Sequence, residues 1–171
     1  EADVLWEKTY ESPVNEYGHR LIVMADGSMM ILGQQYFDGT TDIGVALAIK
    51  TDANGAQIWK HFYTNSALYD AIPSGDNFLL VGWRGSSGSS RGLVISINSE
   101  GIMQWNQSFI IATNAAVKRI FPTADGNFLM VGRANVLAAG YEGVFLRKIA
   151  PDGTQIWGVI HDTGFREEHI F

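Results

Sequence analysis

The stretch that decides the fold is DGNFLMVG, Asp125 to Gly132, because closely similar letters stand at two earlier places in the chain. DGSMMILG occupies residues 26–33 and GDNFLLVG occupies residues 75–82. The final glycines of the three copies lie 49 and 50 residues apart. Recurrence at a fixed distance of this size is the signature of a repeat architecture, in which each unit stacks on another to bury its apolar face.

Two further signals recur with the same period. A turn followed by tryptophan appears as DANGAQIW, NSEGIMQW and APDGTQIW, whose tryptophans are 46 and 52 residues apart. VLWEKTY, at 4–10, carries the same tryptophan 53 residues before the first of these. An isoleucine within a short apolar segment recurs at spacings of 50, 48 and 50, at Ile22, Ile72, Ile120 and Ile170. Three registers therefore agree on a period of about 50 residues.

Within one period the apolar pattern is typical of strands. IGVALAIKT (43–51) and RGLVISINS (91–99) are short, aliphatic and bounded by turn residues. The third copy divides into four such segments, at 116–124, 127–136, 142–150 and 154–162. Asp-Gly pairs at 125–126 and 152–153 supply tight turns, where glycine tolerates a positive φ. The sequence predicts an all-β fold, a β-propeller of four-stranded antiparallel blades.

This combination of strand, Asp-Gly turn and tryptophan resembles the bacterial propeller repeats related to the tryptophan-docking quinoprotein blades and their non-catalytic relatives. The resemblance covers nearly the whole chain. It implies that one tryptophan per blade lies on the outer strand and packs between neighbouring blades. The residues given this structural role are Trp6, Trp59, Trp105 and Trp157, and all four are expected to be buried at blade contacts.

The repeats divide a single domain, 1–171, into about three complete blades at 18–63, 68–110 and 116–162. Residues 1–10 match the outer strand of a preceding blade, and 165–171 match the inner strand of a following one. Three complete blades are fewer than the roughly four to eight of known rings. We therefore expect a piece of a longer propeller or a ring closed by another chain, and hence an oligomer or a fragment.

Composition limits the class of function. A net charge of −6 with scattered Lys and Arg argues against a nucleic-acid partner, and no apolar run approaches the length of a membrane span. The absence of cysteine excludes a disulfide framework and thiolate zinc ligands, and the four histidines show no metal spacing. No metal and no cofactor are predicted.

Charged residues stand two positions before each repeat isoleucine, with alternating sign: Arg20, Asp70, Lys118 and Glu168. The segments that hold them are expected to be the innermost strands, which in a propeller line the central channel. Two interpretations remain open. The charges form ion pairs between neighbouring blades, or they form a polar rim that binds a ligand at the mouth of the channel.

Two glycine-rich loops suggest specific sites only weakly. GWRGSSGSSRG (82–92) lacks the order of a phosphate-binding loop, so a strand connection is the simpler interpretation. TDANG (51–55) resembles the start of a calcium loop but lacks the later ligands, which favours an Asx-type turn. The turns before tryptophan also resemble the Asp-box of sialidase-type propellers, without its serine and with glycine one position too early.

These observations favour a non-catalytic scaffold or protein-binding module of an exported bacterial protein, located at the cell surface, outside the cell or in the periplasm. The chain begins at Glu1 without an initiator Met, which fits a processed or trimmed product. Its expected partners are a protein or further propeller blades. The alternatives are a glycan-binding surface module, or a fragment of a quinoprotein-like or sialidase-like propeller enzyme.

Overall fold

The computed structural model describes residues 3–36, 44–86, 88–111, 113–136 and 141–161. Within these ranges the chain forms twelve strands and no helix, and the strands make three four-stranded antiparallel sheets. The part of the chain described here therefore contains no helix that could cross a membrane. The all-β class and the repeated four-stranded sheet, both predicted from the sequence, are confirmed.

Each sheet is built from consecutive strands in chain order. The first sheet contains β1 (Asn15–Val23), β2 (Met29–Tyr36), β3 (Val45–Thr51) and β4 (Gln57–Tyr63). The second contains β5 (Ser66–Ser74), β6 (Asn77–Arg84), β7 (Arg91–Asn98) and β8 (Met103–Phe109). The third contains β9 (Thr113–Pro122), β10 (Phe128–Val136), β11 (Tyr141–Ile149) and β12 (Gln155–His161).

Of the partial blades predicted at the two ends, only the first can be compared with the structure. Residues 3–12, which hold most of the outer strand predicted at 1–10, form no strand, although Tyr10 ties this segment to the first sheet by donating from its hydroxyl to the carbonyl of Gly55 at 2.9 Å. The inner strand predicted at 165–171, including Glu168, lies outside the described residues.

The turns behave as their residues dictate. Asp52 Oδ1 accepts hydrogen bonds from the backbone amides of Asn54 and Ala56, both at 2.8 Å, which confirms the Asx-type turn predicted at TDANG. Gly55 takes the left-handed conformation there, with φ of 77°. Asn98 Oδ1 accepts two amides in the same way in the second sheet, and Asp152 accepts the amide of Thr154 in the third.

The three sheets stack face to face, and the first strand of a sheet lies on the sheet before it. β5 contacts β1, β2 and β3, and β9 contacts β5, β6 and β7. One apolar core, including Leu32, Leu68 and Ile95, fills the space between the first and second sheets. A second, including Val81 and Phe145, lies between the second and third. Both faces of the middle sheet are therefore buried, as the near-continuous apolar runs of β6 and β7 require.

The glycine that ends each repeat motif has a steric reason. A Cβ on Gly33, Gly82 or Gly132 would overlap a carbonyl oxygen of the neighbouring first strand, that of Tyr17, Ala67 or Ala116. Since no side chain fits at such a close backbone approach, all three copies of the motif end on the same residue.

Candidate functional site

The tryptophans of successive sheets make the same contact with the sheet that follows. The Trp59 ring lies against Gly101, where an added Cβ would come within 3.1 Å of it, and its Nε1 donates to the carbonyl of Ser99 at 3.0 Å. The Trp105 ring lies against Gly153, with Cζ3 2.8 Å from the position of an added Cβ. These glycines sit in the tight turns of the next sheet, so each tryptophan joins two sheets.

Trp6 makes the same contact without belonging to a strand. Its ring covers Gly55, with Cζ3 3.1 Å from the position of an added Cβ. The segment before the first sheet thus occupies the place that a preceding tryptophan would take, which fits the outer position predicted for it.

Burial of the four tryptophans is uneven. Trp59 and Trp105 are half-buried and pack against the two cores. Trp6 is 49% exposed and Trp157 is 42% exposed, so the expectation that all four are buried is wrong for these two. The reason is position: Trp6 lies on the strandless segment, and none of the described glycine turns lies against Trp157.

The charged residues on the first strands are partly brought together. Arg20 Nε donates to Asp70 Oδ1 at 3.0 Å, an ion pair from β1 to β5. Asp70 is only 2% exposed, and its Oδ2 also accepts the backbone amide of Ile120 on β9 at 3.2 Å. This carboxylate therefore connects all three sheets, and for this pair the interpretation as an inter-sheet ion pair holds.

Lys118 lies one position away from the place that the repeat predicted. The strand register pairs Arg20 with Leu32, Asp70 with Val81 and Arg119 with Val131, so the third equivalent residue is Arg119. The alignment on Ile120 was wrong because Phe121 holds the position of Ile22 and Ile72. Ile120 is buried and Phe121 is exposed, and two adjacent apolar residues leave the register ambiguous in the sequence.

Lys118 instead belongs to a column of bulge residues. The register of each first strand shifts by one residue opposite the motif glycine, which leaves His19, Tyr69 and Lys118 without a ladder partner. The rings of His19 and Tyr69 lie 5.8 Å apart, and Lys118 Nζ lies 3.7 Å from the centre of the Tyr69 ring. Bulges at one position in three sheets thus stack three different side chains from sheet to sheet.

A polar cleft opens beside this column, between the second and third sheets. Its volume is about 290 Å³. We call it the inter-sheet cleft; the side chains that matter to its chemistry are Tyr69, Trp83, Ser90, Asn114, Arg133 and Glu142. Trp83 Nε1 donates to the Tyr69 hydroxyl at 3.1 Å, and Asn114 Oδ1 accepts the Ser90 amide at 3.3 Å. Hydrogen bonds thus fix the two aromatic residues and the amide.

The charges at the cleft are nearly balanced. Arg133 and Glu142 form an ion pair across β10 and β11, with about half of each side chain exposed. Lys118 lies beside the cleft, and desolvation together with the nearby Arg133 lowers its pKa from 10.5 to about 8. Among the described residues no carboxylate lies within ion-pair distance of Lys118, but its ammonium lies over the Tyr69 ring and the charge of Glu142 opposes the lowering of its pKa.

Trp83 was not singled out by the sequence because it does not recur. It follows the motif glycine of the second copy, where the other copies have Gln34 and Arg133. A departure from the repeat at one equivalent position was the available signal. The loop 82–92 likewise has a use beyond connecting strands, since Ser86 and Ser90 line the cleft.

Comparison with known proteins gives no family: no protein-family model and no curated protein matches the chain. In the described part of the chain no three His, Asp or Glu side chains come together as metal ligands. The arrangement of the site therefore has to be interpreted from its own geometry.

Proposed function

We propose that the chain is part of a β-propeller and acts as a non-catalytic scaffold that binds further four-stranded repeats, from its own or another chain, against its two end faces. The observation that carries the proposal is the tryptophan–glycine contact, which recurs at Gly55, Gly101 and Gly153. A contact repeated in this way builds a stack to which the same unit can be added.

The end of the third sheet supports the proposal because its side chains match a contact that lacks its second half. Trp157 is 42% exposed, and Val159, two residues later and so on the same face of β12, is also 42% exposed. Ile110, which precedes the third sheet, is 67% exposed. A cluster of exposed apolar side chains marks a surface that another element covers.

The beginning of the first sheet offers the complementary surface. β1 holds the place of β5 and β9, which are covered by a preceding sheet, yet Leu21 is 52% exposed where the equivalent Ala71 and Ile120 are buried. One copy can therefore place the end of its third sheet on the first sheet of another. This is a heterologous contact, which leads to rings or open stacks.

The carboxylates of Asp70 and Glu142 have structural partners, which supports a role without catalysis. Asp70 is held by Arg20 and the Ile120 amide, and Glu142 is held by Arg133. Both carboxylates thus take part in contacts between strands and sheets, which is the role expected in a scaffold. The export and the bacterial origin expected from the sequence remain part of the proposal.

Sedimentation velocity over a range of concentrations tests the proposal on the full chain. We expect reversible association of the unmodified chain, weakened by Trp157→Lys at one end face and by Leu21→Lys at the other. Because each variant retains one intact face, a mixture of the two should form a dimer that neither forms alone. Ile102→Lys is the control, since Ile102 is 54% exposed in the turn before β8, away from both faces.

Two results would contradict the proposal. One is an unmodified chain that stays monomeric at every concentration. The other is a mixture of the two variants that sediments as the separate variants do.

A further inference from the structure

The inter-sheet cleft combines aromatic and polar side chains. Two aromatic residues, Tyr69 and Trp83, stand beside hydroxyl, amide, guanidinium and carboxylate groups. The volume of about 290 Å³ is at the lower end of the range for small-molecule sites. The cleft therefore suits a small polar molecule, about the size of one ring, better than a peptide segment.

The polar groups of the cleft both donate and accept hydrogen bonds. Ser86 and Ser90 carry hydroxyls, Asn114 an amide, and Arg133 and Glu142 are paired so that their charges cancel. Arg133 uses Nη1 for Glu142, and a guanidinium has five N–H donors, so further donors remain for a ligand. A neutral lining of donors and acceptors matches a neutral molecule with several hydroxyl groups.

Trp83 adds an apolar surface of fixed orientation. Its indole is half-buried and is held by the bond from Nε1 to the Tyr69 hydroxyl. The face of an aromatic ring carries partial negative charge and attracts the weakly positive C–H groups of a saturated ring. Hydroxyl groups at the edge and C–H groups on the face occur together in a sugar ring.

We propose that the inter-sheet cleft binds one neutral sugar residue of a glycan, stacked on Trp83 and hydrogen-bonded to Asn114, Arg133 and Glu142. The site is independent of the end faces, since no residue of the cleft belongs to the surfaces around Trp157 or Leu21. The scaffold proposal and this one can therefore fail separately.

Binding can be tested by ¹H–¹⁵N NMR titration of the full chain with lactose, maltose, cellobiose and chitobiose. We expect at least one disaccharide to shift the Trp83 indole signal saturably, with a Kd of about 1 mM, as befits a ring-sized ligand. Trp83→Ala and Glu142→Gln should each weaken binding about tenfold or more, whereas Trp83→Phe should keep it within about threefold. Arg84→Ala is the matched control, because Arg84 bonds Asn106 outside the cleft.

Thermal unfolding of each variant separates loss of binding from loss of fold. Glu142→Gln keeps the shape of the side chain at a half-exposed position, so it should fold normally. The proposal is overturned if none of the four sugars shifts the Trp83 signal at tens of millimolar. It is also overturned if the Glu142→Gln variant and the unmodified chain bind equally.

Discussion

β1 and β5 are each the first strand of a four-stranded sheet, yet most residues of β1 are exposed whereas most of β5 are buried. Both strands pair with the next strand through the same register, including the bulge opposite the motif glycine. The difference comes from outside the sheet. β5 lies on β1, β2 and β3, whereas no described sheet precedes β1.

This difference shows that strand pairing and burial have separate origins in a repeat fold. The hydrogen-bonded ladder of a sheet depends on its own residues, while burial depends on the neighbouring sheet. Leu21 and Ala71 make the point, because they hold equivalent positions and are 52% and 3% exposed. A lysine placed at each of the two positions should therefore destabilise the protein to very different extents.

The largest expected effect is that of a charge placed at this pair of positions. Ala71→Lys would bury an ammonium against the first sheet and should cost about 4 kcal/mol or more of unfolding free energy, enough to prevent folding. Leu21→Lys should change the unfolding free energy by about 0.5 kcal/mol or less. Urea denaturation of both variants measures the difference, and equal losses would remove the contrast between the strands.

The motif glycines provide the next test. Gly82→Ala forces a methyl group against the Ala67 carbonyl of a strand that is held on both sides, and should cost about 3 kcal/mol. Gly33→Ala creates the same overlap with Tyr17, but β1 is uncovered and can move away, so about 1 kcal/mol is expected. Thermal denaturation of the two variants gives the ranking. A larger loss for Gly33→Ala would show that β1 is held as firmly as β5.

Arg20 and Asp70 form the ion pair that joins β1 to β5, and replacing one or the other should cost different amounts of unfolding free energy. Asp70→Asn weakens bonds to Arg20 and to the Ile120 amide at a buried position, and should cost about 2 kcal/mol. Arg20→Gln should cost about 1 kcal/mol or less, because the Arg20 side chain is 44% exposed and water can replace it. The double variant, compared with the two single ones in urea, gives the coupling between them.

The last effect concerns pH and the half-buried lysine of the bulge column, Lys118. Because the pKa of Lys118 falls from 10.5 to about 8 on folding, the unfolded chain holds more protons between these values, and stability should rise with pH across that window. Desolvation is the main cause, with Arg133 and Arg119 adding to it and Glu142 opposing it. Lys118→Met should lack this rise when the two chains are compared in urea between about pH 7.5 and 9.5. If the unfolding free energies of the two chains changed with pH in parallel, the prediction would be wrong.

Much of the fold could be predicted from the sequence because turns and close approaches need particular residues. The glycines of the motif and the Asx turns recur for reasons of backbone geometry, and they marked the strand ends to within a few residues. The exposure of Trp6 and Trp157 could not be predicted from the turn residues, because the burial of a tryptophan depends on a neighbouring element that its own repeat does not encode.

The candidate site was predicted less well, for two physical reasons. A residue in a bulge has no cross-strand partner, so the pattern of alternation does not place it, and Lys118 was assigned to the wrong position. Trp83 lies outside the repeat pattern altogether. Residues that differ between the copies carry the site, whereas a repeat pattern is defined by residues that agree.

The bulge column also suggests where this architecture can be altered safely. His19, Tyr69 and Lys118 occupy one geometric position with three unrelated side chains, and all three sheets form around it. A designer who wishes to change the chemistry of the surface beside the cleft can therefore exchange His19 or Lys118, whereas an exchange of Tyr69 also removes the hydrogen-bond partner of Trp83. Because a bulge residue has no partner in the ladder, such an exchange requires no matching change on the neighbouring strand.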